Sequence, residues 1–76
     1  MTKAIDQDSL HTLLLAQAIR EARANRQNGL WTLSVRLGAF WHPIRSRREP
    51  VRTWASLTAV GKFCDKVGIK TLNVEL

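Results

Sequence analysis

Between Gly29 and Gly38 the chain reads Leu30-Trp31-Thr32-Leu33-Ser34-Val35-Arg36-Leu37, and this run constrains the fold more than any other stretch. Trp31, Leu33, Val35 and Leu37 alternate with Thr32, Ser34 and Arg36, the two-residue period of a strand with one face in a core. Such a strand needs partner strands along its edges and something apolar laid over its buried face. The two flanking glycines mark where the strand ends or bulges.

The neighbouring segments supply both. Leu10, Leu14, Leu15, Ala18, Ile19 and Ala22 recur with helical spacing, in a segment rich in the helix formers alanine, leucine, arginine and glutamine. A helix is expected over residues 8–27, capped by Asp8 or Ser9 and stopped by Asn28-Gly29. Beyond the central strand, Phe40-Trp41 either continues the strand or begins the loop, and Ile44 to Glu49 has no apolar alternation; residues 40–50 read as a protruding basic loop, and Val51 to Trp54 reads as a second strand. Ser56 then caps a helix whose apolar face is Leu57, Val60, Phe63, Cys64 and Val67, with Gly68 as its stop signal. Gly61 inside it costs roughly 1 kcal/mol against alanine, which suggests a close approach to the sheet. Leu72, Val74 and Leu76 alternate again as a closing strand. The expected fold is a single small α+β domain over residues 8–76, in the order α-β-β-α-β. Two helices pack a three-stranded sheet, and residues 1–7 are frayed.

A chain of 76 residues buries a modest core, and chains of this size gain stability by pairing. A homodimer through the last strand or the first helix stands open beside a monomer. A single cysteine leaves no internal disulfide and points to a reducing compartment. No apolar run is long enough to span a bilayer, and the N-terminus lacks the order of a secretion signal. A cytoplasmic protein with no membrane contact is expected.

The net charge of +6 is placed unevenly. Residues 20–52 hold all eight arginines against Glu21 and Glu49, while four lysines balance four acids elsewhere. Guanidinium forks match pairs of phosphate or carboxylate oxygens and desolvate more readily than ammonium groups. A solvated basic surface is the plain alternative, but a charge carried for solubility has no reason to be all arginine in one window. Arg36, Arg45, Arg47, Arg48 and Arg52 form the expected contact set. Arg20, Arg23 and Arg26 make a second patch on the last turns of the first helix. Trp41 has the best claim among the tryptophans to an exposed role, by stacking on a base or anchoring a partner. Trp31 and Trp54 read as core and as a staple at the start of the second helix.

Catalytic chemistry is not apparent. His11 and His42 are the only histidines, a closed zinc site needs four ligands, and Cys64 belongs to an apolar helix face. The chain reads as a non-enzyme without metal or cofactor. DNA is the first partner suggested by a projecting arginine ribbon. An acidic protein partner, such as a partition ATPase or a host defence or regulatory factor, is the alternative.

The stretch Gly29-Leu30-Trp31-Thr32-Leu33-Ser34-Val35-Arg36, then Arg52-Thr53-Trp54-Ala55-Ser56-Leu57-Thr58-Ala59-Val60-Gly61-Lys62-Phe63, then Val67-Gly68-Ile69, resembles short accessory proteins of plasmids and integrative elements, some of them partition-associated. The likeness lies in a strand, an R-x-W-x-S-L-x-A-V segment, a helix, then G-I and a closing strand. It covers about the last two-thirds of the chain. It implies origin on a mobile genetic element more than any activity; plasmid or phage maintenance or regulation is the role expected of a DNA-binding protein in that setting.

Overall fold

The computed structural model describes residues 3–76. The chain runs α1 (Gln7–Leu15), β1 (Glu21–Gln27), β2 (Leu30–Leu37), β3 (Phe40–Pro43), α2 (Leu57–Val67) and β4 (Asn73–Glu75). The α+β class is as expected, with the central strand and the second helix where the sequence places them. The sheet has four strands rather than three, in the order β3-β2-β1-β4. The element order is α-β-β-β-α-β.

The first departure is the end of the first helix. Instead of running to residue 27, α1 stops at Leu15. The amides of Gln17 and Ala18 bond back to the carbonyls of Leu14 and Leu13 at 3.0 and 2.9 Å. This is a Schellman termination, with Gln17 in the left-handed region at φ +58°. Glycine usually takes that position, and glutamine gives no such signal. Asp6, not Asp8 or Ser9, is the N-cap, its carboxylate accepting from the Ser9 amide at 2.7 Å.

The helix-forming residues that follow make β1 instead. It pairs antiparallel with β2 through a two-residue hairpin at Asn28 and Gly29, both with positive φ, as a type I′ turn requires. A second hairpin turns at Gly38, φ +59°, and brings β3 back along the other edge of β2. The expected strand at residues 51–54 is reduced to one bridge, in which Trp54 and Trp31 exchange backbone hydrogen bonds of 2.8 and 2.9 Å. The closing strand is confined to Asn73–Glu75 and runs parallel to β1.

Ala22, Ala24, Trp31, Leu33 and Val35 face inward and meet Leu10 of α1 and Val60, Phe63, Cys64 and Val67 of α2. Leu10, Leu33, Val35, Ile44 and Val60 are fully buried. Of the stretch 1–7 expected to fray, Met1 and Thr2 lie outside the described residues. Ile5 is buried and bridges Ile44 beside β3, so the domain extends N-terminal of residue 8.

Ser56 caps α2 by accepting from the Ala59 amide at 3.1 Å, and Gly68 ends it at φ +103°. Gly61 departs from expectation: a Cβ there would have no atom within 4 Å, so close sheet contact does not explain it. Gly61→Ala is therefore expected to stabilise the protein by about 0.5–1 kcal/mol. That corresponds to a rise of roughly 2–8 °C in thermal midpoint for a domain of this size. A lowered midpoint would show that the space beside Gly61 is needed.

Candidate nucleic-acid interface

None of the eight arginines lies on a helix: Arg23, Arg26 and Arg36 are in strands, Arg20 is in the connection before β1, and the other four lie between β3 and α2. Strand alternation divides them. Because Ala22, Ala24, Leu33 and Val35 point to the helices, Arg23, Asn25, Thr32, Ser34 and Arg36 point to the opposite, uncovered sheet face. Trp41, paired with Arg36, lies on that outer face, as do Asn73 and Glu75 beside Arg23 and Asn25.

On this face two arginines are committed to the protein itself. The Arg23 guanidinium sits 4.1 Å from the centre of the Trp41 ring and 3.5 Å from a Glu75 carboxylate oxygen, a strut from β3 to β4. Arg36 donates through Nε to Glu21 at 3.0 Å and through a terminal nitrogen to the Gly38 carbonyl at 2.7 Å, holding the second hairpin. These two are the ion pairs of the described residues. Trp41 is half-buried under Arg23, in a strand and not on a loop.

The protruding loop expected over residues 40–50 is shorter than that. Residues 40–43 are β3, Ile44 is fully buried, and the Arg52 amide donates to the Ile44 carbonyl at 2.8 Å, closing the loop at residues 45–51. Within it the Ser46 amide donates to the Glu49 carbonyl at 3.2 Å, and the Glu49 amide donates to the Ser46 hydroxyl at 2.9 Å. Arg47 and Arg48 are held at the tip of that turn, exposed. Arg45 is exposed at its base and donates to the Ser46 carbonyl at 3.2 Å. Among the described residues no carboxylate lies within salt-bridge distance of Arg45, Arg47 or Arg48. A cleft of about 320 Å³ runs beside the loop, between Arg45, Ser46 and Arg47 and the start of α1 at Asp6–Asp8. The Asp6 carboxyl is held below the ordinary carboxylate range by the Ser9 amide, then by the Ser9 side chain, with a smaller push from the Arg45 charge.

Arg52 is placed differently from the loop arginines. Its guanidinium is 4.9 Å from the ring centres of both Trp54 and Phe63, so it roofs the core. Arg52→Ala is expected to cost about 1 kcal/mol through lost cation–π contact. The thermal midpoint should drop by about 4–8 °C. An Arg52→Ala protein with unchanged midpoint would return this side chain to the solvent-facing group.

The second patch also divides. Arg20, just before β1, and Arg26, near its end, are about 20 Å apart by strand rise, and both are exposed. Sequence reasoning placed them with Arg23 on one helix; the strand separates them. It also missed the hairpin tip around Asn28-Gly29, although Asn-Gly between two strands is a hairpin signal.

Both histidines serve the backbone. His42 Nδ1 lies 2.8 Å from the Lys3 carbonyl, which can only accept, so Nδ1 carries the proton. His11 Nδ1 lies 3.4 Å from the Val67 carbonyl, linking α1 to the end of α2. Cys64 is buried, and burial, with a smaller contribution from the Asp65 charge, raises its thiol above the usual range. Among the described residues no three histidines, cysteines or carboxylates gather as metal ligands, and no helix is long and apolar enough to cross a membrane. Comparison with protein-family models, with curated proteins and with solved structures finds no match to this chain.

Proposed function

We propose that this chain is a non-enzymatic nucleic-acid-binding accessory protein of a mobile genetic element, acting in the cytoplasm and gripping DNA phosphates with Arg45, Arg47 and Arg48. The observation that supports it most is the isolation of those three guanidinium groups. The protein spends Arg23, Arg36 and Arg52 on its own aromatic rings, carboxylates and carbonyls, and leaves the loop arginines without a carboxylate partner. Like charges crowded on a closed loop repel one another unless an outside anion neutralises them. The mobile-element setting rests on the resemblance carried by Arg52-Thr53-Trp54-Ala55-Ser56-Leu57-Thr58-Ala59-Val60.

Anisotropy titration of a labelled 30-base-pair duplex at two salt concentrations tests the proposal. Affinity should fall steeply as salt rises, because each neutralised phosphate releases counterions. Absence of binding at low salt would overturn it. The competing use of the loop is on an acidic protein, for which Val51, exposed among the arginines, offers an apolar contact. Co-purification that survives nuclease treatment would favour that alternative.

A further inference from the structure

We propose that the β1–β2 hairpin enters the major groove of B-form DNA and reads A·T base pairs with the outer-face side chains of Asn25, Gln27, Thr32 and Ser34, helped by Leu30. This rests on the nucleic-acid binding proposed above and goes beyond it, because phosphate contacts alone carry no sequence information.

The hairpin, not the arginine loop, is the ribbon that stands clear of the sheet. β3 covers residues 34–37 of β2, the Ile44 amide donates to the Leu33 carbonyl, Trp54 bridges Trp31, and β4 covers residues 23–25 of β1, so the free part of the ribbon is residues 26–30. Among the described residues nothing pairs with 26–30 from outside, and Arg26, Gln27, Asn28, Gly29 and Leu30 are all exposed. A two-stranded ribbon fits the major groove, about 12 Å wide. Neither helix competes for that role, since neither carries an arginine and α1 has an acidic first turn.

The side chains on the ribbon's outer face are of the kinds that read bases. The register sets Asn25 opposite Thr32 and Gln27 opposite Leu30, with Ser34 one step behind. Asparagine and glutamine pair in bidentate fashion with adenine, hydroxyls accept or donate, and an apolar side chain contacts the thymine methyl. Gln27 and Asn25 are two residues apart on one strand, about 6.8 Å, which matches two base-pair steps. Thr32 spends only its proton, on the Asn25 backbone carbonyl at 3.4 Å, and keeps its acceptor capacity; Asn25 Oδ1 has no hydrogen-bond partner but is buried, so this side chain has to rotate outward to reach a base. Arg26, exposed and without an ion pair among the described residues, is placed at the ribbon end to hold a phosphate.

The same face is poorly suited to single strands. Those are held by rows of exposed aromatic rings. Here Trp31 and Trp54 are buried, and Arg23 occupies a face of Trp41.

Selection from a pool of 20-base-pair duplexes randomised at the centre, with a randomised single-stranded pool in parallel, tests the proposal. Wild type should enrich duplexes with adenine at one or more fixed positions, each worth about 5- to 150-fold. Gln27→Glu, at an exposed position that tolerates it, should replace an A·T preference by C·G at one of them, because a carboxylate accepts from the cytosine amine. Asn25→Ala should relax a neighbouring position. Duplex binding with no enrichment, or enrichment untouched by Gln27→Glu, overturns base reading while leaving phosphate binding intact. Preference for the single-stranded pool overturns it too. Failure to bind either pool at low salt is the separate outcome that removes nucleic-acid binding altogether.

Discussion

Replacing Arg45, Arg47 and Arg48 together by alanine will lower duplex affinity by about 10²- to 10³-fold at 0.1 M salt. The affinity at 1 M salt will hardly change. Each arginine that neutralises a phosphate contributes about 0.9 to the slope of log affinity on log salt, so losing three flattens that slope by roughly 2.7. Two features make the loss readable as binding rather than unfolding. The loop is closed by backbone bonds between Arg52 and Ile44 and by the Ser46–Glu49 pair, none of which involves the three side chains replaced. All three are exposed, so their truncation leaves no cavity and falls among substitutions with effects near ±0.5 kcal/mol. An unchanged slope in a folded triple variant would place the phosphate contacts elsewhere, with Arg20 and Arg26 next in line. Arg36→Ala is a useful contrast. Arg36 is already bound to Glu21 and Gly38, so its loss should loosen the second hairpin more than it weakens DNA binding.

The boundary between what sequence shows and hides follows physical lines. Residues 30–37 and 57–67 were legible because local and tertiary preferences agree there. Trp31, Leu33 and Val35 alternate with polar residues in β2, and Ser56 and Gly68 bracket an apolar stripe in α2. β1 was illegible because Glu21-Ala22-Arg23-Ala24-Asn25-Arg26-Gln27 is written almost entirely in helix formers. Their preference, a few tenths of a kcal/mol each, is overridden by pairing with β2 on one edge and β4 on the other. Ala22 fits a helical arc with Ala18 and Ile19 as well as it fits the inward face of a strand, whereas Ala24, two residues on, lies off that arc. Only the unusual left-handed Gln17 decides, and its type gives no warning. β3 was hidden by Pro43, which lies at the end of an edge strand, where a missing donor costs little.

The candidate site divides the same way. Arg45, Arg47 and Arg48 are singled out by charge concentration alone, and all three stay exposed, Arg45 bonding only to the neighbouring Ser46 carbonyl. Arg23, Arg36, Arg52 and Trp41 could not be sorted without contacts. Arg23 and Trp41 are 18 positions apart and meet only because β2 intervenes between their strands. The hairpin tip at Asn28-Gly29 is masked in the sequence because the helix-forming residues before it make the same pair read as a helix stop.

Trp54→Ala will be the most damaging single truncation at the junction of loop and core, with a loss of about 3–5 kcal/mol. A domain of 76 residues has about 4–11 kcal/mol of stability in all. Trp54 is 7% exposed and its ring centre lies 5.2 Å from that of Phe63, tilted by 57°, a packed aromatic pair on α2. Its backbone exchanges two hydrogen bonds with Trp31, the residue that carries β2 toward the hairpin tip. Arg52 stacks on both rings, so removing the indole also strips the guanidinium of half its support. Urea unfolding should therefore show a lower midpoint for Trp54→Ala, and a smaller drop for Trp54→Phe, which keeps an aromatic face. Arg52→Ala should cost less in the Trp54→Ala background than in wild type, because the contact it removes is already diminished. Equal costs in both backgrounds would mean that Arg52 is stabilised by Phe63 alone. A loss below about 1 kcal/mol for Trp54→Ala, small on the scale of core truncations, would mean that residues 52–54 lie on the core without supporting it. The loop arginines would then be carried on a tether, free to follow their partner, instead of on a fixed edge of the sheet.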